Sequence, residues 1–582
     1  MTTVQQLPQY DLFTSRNLDS LKTSVLTSND QYVAVDTETT GLNWREDRAF
    51  GVSLAWDDKA IFIRNTEYGV ENIGKFLIDL FEVDSKIFIF HNAEFDLHMI
   101  RETYGAEPPR RIIDTLRVLH LRNSRPPHGL KDAAVEVYGP SAAASEDTIK
   151  TYMKQYKLKN YSYVPHEFMD PYACMDTVLT KALAHLYVGE MNRLYPKLLQ
   201  MEHKLIPLIL EMEKNGIKID LDYMHILHKQ YKAEQRSIQD ELYSIIGRPL
   251  EISSTKQLQG YLYDQLGIKS IIETQTGGRS TSEKALQGID HPIGTKVAEL
   301  VLRWRSIEKV DSTYIQPYTK SAHNGRLHPH WNATGTITGR FSSSNPNLQN
   351  IPGDPKVRRI FLPDKEFLDF DYAQLELRLV SHAAKQQNMI DAFNNGVDMH
   401  GFTAGMIFNL SSGQLDKEQR QVGKRLNFGA LYGGGAKKLA DECSITIPQA
   451  RRFLDQFWSS YPLMRNYCDR MQKFAEREGY VHTLFGRKIP VIADESRNAT
   501  NYIIQGTAGD LVKISLCNTW EYVKSVGGTI RNTVHDEILF DNMEDSVVPD
   551  IKEIMEDFSF QIPIAVELKR SKESWGDMID EH

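Results

Sequence analysis

A chain of 582 residues is too long for one hydrophobic core and divides into several domains. Its 41% hydrophobic and 25% charged residues exclude a disordered chain, and four scattered cysteines (Cys174, Cys443, Cys468, Cys517) with no CxxC pair exclude a zinc ribbon or disulfide framework. The net charge of −9 decides nothing about a nucleic-acid partner, because cations cluster at Lys356/Arg358/Arg359, Arg420/Lys424/Arg425, Lys437/Lys438 and Arg451/Arg452, and acids at metal sites would lower the total. The opening stretch MTTVQQLPQYDLFTSRNLDS has no apolar signal core, and no run approaches a membrane span. The cysteine usage fits a reducing cytosol, so a soluble, cytoplasmic protein is expected.

Residues 31–42, QYVAVDTETTGL, read as a strand whose apolar run stops at Asp36-x-Glu38. A second strand, KIFIF at 86–90, leads into HNAEFDLHMI and places Asp96 at the start of a helix. In FMDPYACMDTVLTKALAHLY, Tyr172 and Asp176 stand four apart, on one helix face. Singly, each acid reads as a cap or a surface residue. In this order they read as one pocket, where carboxylates repel one another unless divalent cations neutralise them, and such a pocket can activate water against a phosphodiester.

Residues 197–247 read as two long helices parted by NGIKID, with Gly216 ending the first and Asp220 capping the second. SSTKQLQGYLYDQLGI follows as a capped helix ending at Gly267, and TQTGGRSTSEKAL has a capping-box spacing, Ser280-x-x-Glu283. The pattern favours a packed helical hairpin over an arm that touches a nucleic-acid backbone. The polar loop TGTITGRFSSSNPNLQNIP, 334–352, carries Arg340, Asn347, Gln349 and Asn350. Such donors suit the minor-groove acceptors present in every Watson–Crick pair.

EFLDFDYAQLELR, 366–378, begins as a strand and changes to helical period after Asp371. A carboxylate ending an apolar strand is costly without a compensating cation, although Asp also caps helices. TVHDEILF, 533–540, puts His535, Asp536 and Glu537 inside a second strand pattern. Two carboxylates on two strands suit a two-metal site for phosphoryl transfer, with Asp371 and Asp536 as ligands. Between them, Arg420, Lys424 and Phe428 fall at i, i+4 and i+8, a face that could carry a triphosphate and its sugar, with Tyr432 continuing it. Arg497, Asn501 and Gln505 repeat the spacing on a later helix.

The first set of acids resembles the DEDD exonucleases of the tyrosine subtype, over about residues 30–185. By that resemblance Asp36, Glu38, Asp96 and Asp176 hold two metals, Tyr172 orients the attacking water, and Asn92 and Phe95 contact a frayed primer end. Asp114 also recurs in that family and is read as structural. LDFDYAQLELR, RQVGKRLNFGALYG and TVHDE, with TGRFSSSNPNLQNIP and RNATNYIIQGTAGDLVK, resemble family A DNA polymerases of the DNA polymerase I type from about residue 30 to the C-terminus.

The resemblance implies an α/β and α+β multidomain fold. A ribonuclease-H-like 3′–5′ exonuclease domain (1–190) would precede a right-hand polymerase domain (191–582), with thumb about 197–318, palm about 319–412 and 500–582, and fingers about 413–499. Asp371 and Asp536, helped by the Tyr372 carbonyl, would bind two Mg2+ ions, with Mn2+ able to substitute. One ion would lower the pKa of the primer 3′-hydroxyl and the other would hold the triphosphate. Lys424 and Arg420 would neutralise phosphate charge, and Glu376 would exclude a ribose 2′-hydroxyl. Gln374, His400, Phe428 and Tyr432 would complete the nucleotide site. Arg340, Asn347, Gln349, Asn350, Arg497, Asn501, Gln505 and His535 would contact DNA, and Glu537 would support the acids.

Expected substrates are primer–template DNA and dNTPs, and helicase and single-strand-binding protein are expected replisome partners of a monomeric enzyme. The missing 5′-nuclease domain and thioredoxin-binding insertion suggest a compact bacteriophage replicase. Alternative readings are an exonuclease with a degenerate, DNA-binding polymerase half, a non-catalytic replisome subunit, and a single-subunit RNA polymerase. The intact acids oppose the first two, and Glu376 with the exonuclease acids opposes the third.

Overall fold

The computed structural model describes residues 4–15, 17–274, 277–431 and 433–581. Near the N-terminus, strands β1 (Asp11–Leu12), β2 (Tyr32–Thr39), β3 (Ala49–Trp56), β4 (Lys59–Arg64), β5 (Ile87–Phe90) and β6 (Ile112–Asp114) form one sheet in the order β1-β4-β3-β2-β5-β6. The β2–β3 and β3–β4 pairs are antiparallel, and β2–β5 and β5–β6 are parallel. Residues of β2 alternate between two cores. Val33 and Val35 join Leu97 and Ile100 of helix α1 (Ala93–Tyr104), whereas Ala34 faces the side packed by a later helix. Helices α2 (Thr115–Arg122), α3 (Leu130–Tyr138) and α4 (His166–Leu194) follow, and α4 lies across β2, β3 and β4. A strand buried on both faces reads as a continuous apolar run, and the acids of β2 follow that run toward the strand's C-terminal end.

The two long helices expected next are α5 (Pro196–Asn215) and α6 (Leu221–Ile246). Gly216, at φ +57, ends the first, and Asp220 accepts the Tyr223 N–H at 2.8 Å to start the second. The intervening Ile217–Ile219 is not a bare linker. It pairs with Arg326–Leu327 and Phe361–Leu362 in a three-stranded sheet. The capping box expected at Ser280 and Glu283 is not built, because the helix begins at Glu283 itself; Ser280 Oγ instead accepts the Ser282 N–H at 3.1 Å. Helix α7 (Pro292–Val310) packs back on α6.

The second large sheet is antiparallel throughout. Strand β7 (Phe367–Tyr372) leads into α8 (Leu375–Ala384), then α9 (Met399–Phe408), α10 (Lys417–Leu431), α11 (Ile447–Ser460), α12 (Pro462–Glu478) and the long α13 (Ala499–Ser525). Strands β8 (Thr529–Val534), β9 (Glu537–Asp541), β10 (Val566–Ser571) and β11 (Ile579–Glu581) complete the order β8-β9-β7-β10-β11. TVHDEILF is therefore not one strand. Val534 pairs with Glu537, and His535-Asp536 form a two-residue turn with His535 in the left-handed region at φ +54. Arg497 likewise leaves the helix face proposed for it, since it lies in the 3-10 turn Ala493–Asn498 before α13 begins. Asn501 and Gln505 are on α13 as expected.

A buried ionic cluster ties the N-terminal sheet domain to the rest. Glu202 on α5 accepts Arg487 Nη2 at 2.6 Å, Lys513 Nζ of α13 at 2.8 Å and Arg117 Nη1 of α2 at 3.2 Å. Three cations hold its carboxyl well below the usual range despite burial. Removing one member would leave uncompensated buried charge, so the two halves are held in a fixed relation.

Candidate active sites

The end of β2, the start of α1 and the middle of α4 meet at one point. Carboxylate oxygens of Asp36, Glu38 and Asp176 lie within 4.8 Å of one another. Asp96 stands beside that trio and outside it, fixed by the Thr37 N–H at 2.9 Å and the Thr37 hydroxyl at 2.6 Å. Burial, then the neighbouring acids, raises Asp36 and Glu38 well above the ordinary range, and burial lifts Asp96 to about 7. Asp176 is raised by burial, with the Lys131 ammonium and the Tyr172 phenol pulling the other way. Glu38 Oε1 is buried without a hydrogen-bond partner. A strained cluster of acids with an orphaned oxygen fits hard divalent cations, which take carboxylate ligands. Asp36, Glu38 and Asp176 would hold them, with Asp96 beside.

Asp114 proves structural, as read. It accepts N–H groups from Asn92 at 2.9 Å, Ala93 at 3.2 Å and Leu116 at 2.9 Å, fixing the turn that launches α1. That turn needs the left-handed φ of +73 at Asn92, which Asn tolerates. Asn92 and Phe95 line a cleft of about 910 Å3 that also reaches Asn347 and Asn350. The structure thus brings residues expected at two different sites to one opening between the domains.

In the second sheet, Asp371 is the last but one residue of β7, opposite Glu537, and the Tyr372 N–H donates to the Asp536 carbonyl at 3.1 Å. This bond ties the His535-Asp536 turn to the strand end. The Tyr372 phenol points away, to Ser515 Oγ at 2.6 Å and the Met555 carbonyl at 2.8 Å. Burial, then Asp369 and Asp536, lifts Asp371 to about 7, and burial lifts Glu537 to about 8. Asp536 is raised by burial, and its Oδ1 has no hydrogen-bond partner, with Arg340 Nη2 at 3.6 Å. These two acids also fit a divalent cation by charge and by an unsatisfied oxygen.

Arg340 is the hub of this site. It donates to Glu376 Oε1 at 2.6 Å and to the Gln505 carbonyl at 3.2 Å, so loop, α8 and α13 converge on it. Glu376 is buried and its carboxyl raised, with Arg340 opposing. Gln374 takes φ +53 at the start of α8, with its Oε1 buried and unpartnered. Gln349 Nε2 donates to the Thr533 carbonyl at 2.5 Å and braces the hairpin beside His535. Asn347 Oδ1 accepts the Gln349 N–H at 2.9 Å, and Asn501 Oδ1 is buried without a partner.

On α10, Arg420 and Lys424 are exposed, and Phe428 packs 5.7 Å from the His400 ring. Arg420 forks onto Asp398 at 2.7 and 3.0 Å, and Asp398 also caps α9. Burial lowers His400 to about 4, leaving it neutral beside Asn427 Nδ2 at 3.1 Å. Tyr432 lies outside the described residues.

Sequence reasoning passed over Asp398 and assigned no role to Asp369. Asp369 stands two before Asp371, so period two puts both on one face of β7. It is buried and accepts Trp575 Nε1 at 3.0 Å, and its charge is the largest acidic contribution to the shifts at Asp371 and Glu537. The alternation Phe-Leu-Asp-Phe-Asp was the available signal. Lys131 had none, because α3 is remote in sequence from each acid.

Comparison with known proteins accords with this geometry. The family DNA polymerase family A matches residues 221–577, and a 3′–5′ exonuclease family matches residues 13–187. The thermostable DNA polymerase I of Thermus filiformis is 34% identical over 412 residues, covering 66% of this chain and 49% of the relative. The DNA polymerase I of Chloroflexus aurantiacus is 31% identical over 587 residues, covering 94% of this chain and 61% of the relative. The chain therefore spans about half to three-fifths of these relatives' length. The solved POL domain of Pol1 from M. smegmatis, in complex with DNA primer-template and dNTP, superposes with a TM-score of 0.84 at 23% identity, covering 97% of this chain and 99% of that one. That likeness carries the fold, exonuclease domain first and right-hand polymerase domain after it. The chain belongs to DNA polymerase family A.

Proposed function

We propose that the chain is a template-directed DNA polymerase with its own 3′–5′ proofreading exonuclease, acting on primer–template DNA and dNTPs. The supporting observation is the pair of separate acid clusters, each holding a buried carboxylate oxygen without a hydrogen-bond partner, Glu38 Oε1 in one and Asp536 Oδ1 in the other. Bound at these carboxylates, Mg2+ ions, two to a site, would lower the pKa of an attacking hydroxyl or water and offset charge on the leaving group.

The chain's own residues do the positioning. The α10 face offers Arg420 and Lys424 to a triphosphate, with Phe428 toward the sugar. Arg420 exchanges Asp398 for phosphate, and a planar guanidinium suits either anion. Arg340 presents its fork at the primer terminus while Glu376 holds it. In the first domain Tyr172 orients water over the acids, and Asn92 and Phe95 receive a frayed 3′ end. Extension of a primer with a mismatched 3′ end tests the whole reading. Removal of the mismatch followed by elongation is expected with dNTPs and Mg2+. Elongation without removal, or removal without elongation, would leave only half of the function.

Sugar selection is assigned to Glu376, whose buried side chain is clamped by Arg340 and so cannot yield cheaply to a 2′-hydroxyl. Glu376→Ala should raise the NTP/dNTP ratio of kcat/KM by at least about tenfold, equal to about 1.4 kcal/mol. Some loss of dNTP rate should accompany it, because Arg340 would then keep only the Gln505 carbonyl and the looser approach to Asp536. A ratio unchanged within about twofold removes Glu376 from the sugar pocket.

A further inference from the structure

Lys131 lies in the first turn of α3, and its ammonium donates to Asp176 Oδ1. It is also 5.2 Å from the centre of the Tyr172 ring, so it touches both functional groups that α4 presents. Its side chain is 15% exposed and that of Asp176 is 10% exposed, so this is no solvated surface pair. Its charge acts on Asp36, Glu38 and Asp176 alike.

A purely structural lysine would be poorly placed here. It occupies Oδ1, one of the two oxygens that Asp176 has to offer a divalent cation, so it competes for Asp176 with the group the acids are built to hold. Once that oxygen is taken, a half-buried ammonium is left without its anion, which is costly unless another replaces it. Charge balance names the replacement. Asp36, Glu38, Asp96 and Asp176 together match two divalent cations, which leaves one positive charge to meet the single negative charge of a phosphodiester. Lysine suits such an exchange, being a compact charge on a flexible four-carbon stem.

Resting on the exonuclease reading above, we propose that Lys131 is a further substrate-binding residue of this site, paired with Asp176 in the free protein and with the substrate's phosphodiester in the loaded one. The chemistry it recognises is the backbone phosphate of a single-stranded 3′ end, independent of base.

The test uses the full chain with Lys131→Met, which keeps length and loses charge, and Lys131→Arg, which keeps charge. Three quantities are read: the Mn2+ affinity without DNA, the Kd for single-stranded oligo(dT) with Ca2+ present to prevent turnover, and the single-turnover rate of oligo(dT) degradation with Mg2+. For Lys131→Met, Mn2+ should bind as tightly as in the wild type or tighter. The oligo(dT) Kd should rise and the rate should fall by about ten- to a hundredfold, the usual worth of a hydrogen bond to a charged group. Lys131→Arg should recover most of both. Circular dichroism and primer extension report that the variants fold. A rate and Kd within about twofold of wild type for Lys131→Met would overturn the proposal. So would a loss of Mn2+ affinity in step with the rate, since Lys131 would then only hold Asp176 in place. The double change Asp36→Ala with Glu38→Ala, run alongside, separates the two levels. If it too degrades DNA at the wild-type rate, the exonuclease reading fails. If it is inactive while Lys131→Met is normal, only the Lys131 assignment fails.

Discussion

Asp371→Asn and Asp536→Asn should each lower primer extension by about a thousandfold or more and leave 3′–5′ degradation of single-stranded DNA unchanged. Each substitution keeps the shape of the side chain and removes the negative charge that would hold a divalent cation. Loss of a single preorganised electrostatic contact already costs about a hundred- to a thousandfold in rate, and loss of a shared metal ligand disturbs attacking and leaving groups together. The variants should fold. Burial and the charges of Asp369 and Asp536 raise the Asp371 carboxyl to about 7 from 3.8. An acid raised in the folded state holds its proton more tightly there than in the unfolded chain. It therefore weakens the fold as pH rises from about 4 through 7. Asparagine carries no such titration, so Asp371→Asn should melt higher than wild type at pH 8 in EDTA, and the gap should close toward pH 4. Extension and melting together make the test specific. Activity lost with a lowered melting point would indicate a folding defect, and activity retained would remove Asp371 from the site.

Local pattern carried much of this site. Period two in β7 and the switch to helical period at Leu375 located Asp371 correctly, because alternation and a strand–helix junction are properties of a few adjacent residues. The β8–β9 turn was missed for an equally local reason. His535-Asp536 lacks the glycine that usually marks a two-residue hairpin, and Val534 and Glu537 continue an apparent strand across it. Its partners were out of reach from pattern alone. Gln349 braces Thr533 from 184 positions away, and Arg340 meets Glu376 across 36. Both donors were singled out as DNA contacts on residue type, yet what they bind in the free protein is set by tertiary packing. The same holds for Arg420, whose fork onto Asp398 is a contact between α9 and α10 that spacing on α10 cannot show.

In the other domain, Asp36→Ala with Glu38→Ala should reduce degradation of single-stranded DNA by about a thousandfold or more while primer extension on a matched primer persists. The two acids come from one strand end, and with Asp176 they form the tight trio, so the double change leaves Asp176 and the adjacent Asp96 to face the substrate. Two carboxylates cannot hold the charge that four can, and the remaining Lys131–Asp176 pair would close on itself. The fold should tolerate the change, since Glu38 Oε1 makes no hydrogen bond and both acids are raised in the free protein, first by burial and then by repulsion from the neighbouring acids. Removing them relieves that repulsion, and alanine in the strand leaves the Thr37–Asp96 contact intact. The polymerase site should not register the loss. The buried Glu202 cluster that joins the domains uses Arg117, Arg487 and Lys513, none of which contacts the trio. The measurement is the degradation rate of a labelled single strand beside the extension rate of a matched primer, for wild type and double variant under one Mg2+ concentration. A mismatched primer adds the decisive arm, because the variant should stall on it or extend it without repair. If the double variant lost extension as well, in a protein that still melts cooperatively, the separation of the two sites would be wrong. The junction at Glu202 would then be the first place to look for coupling between them.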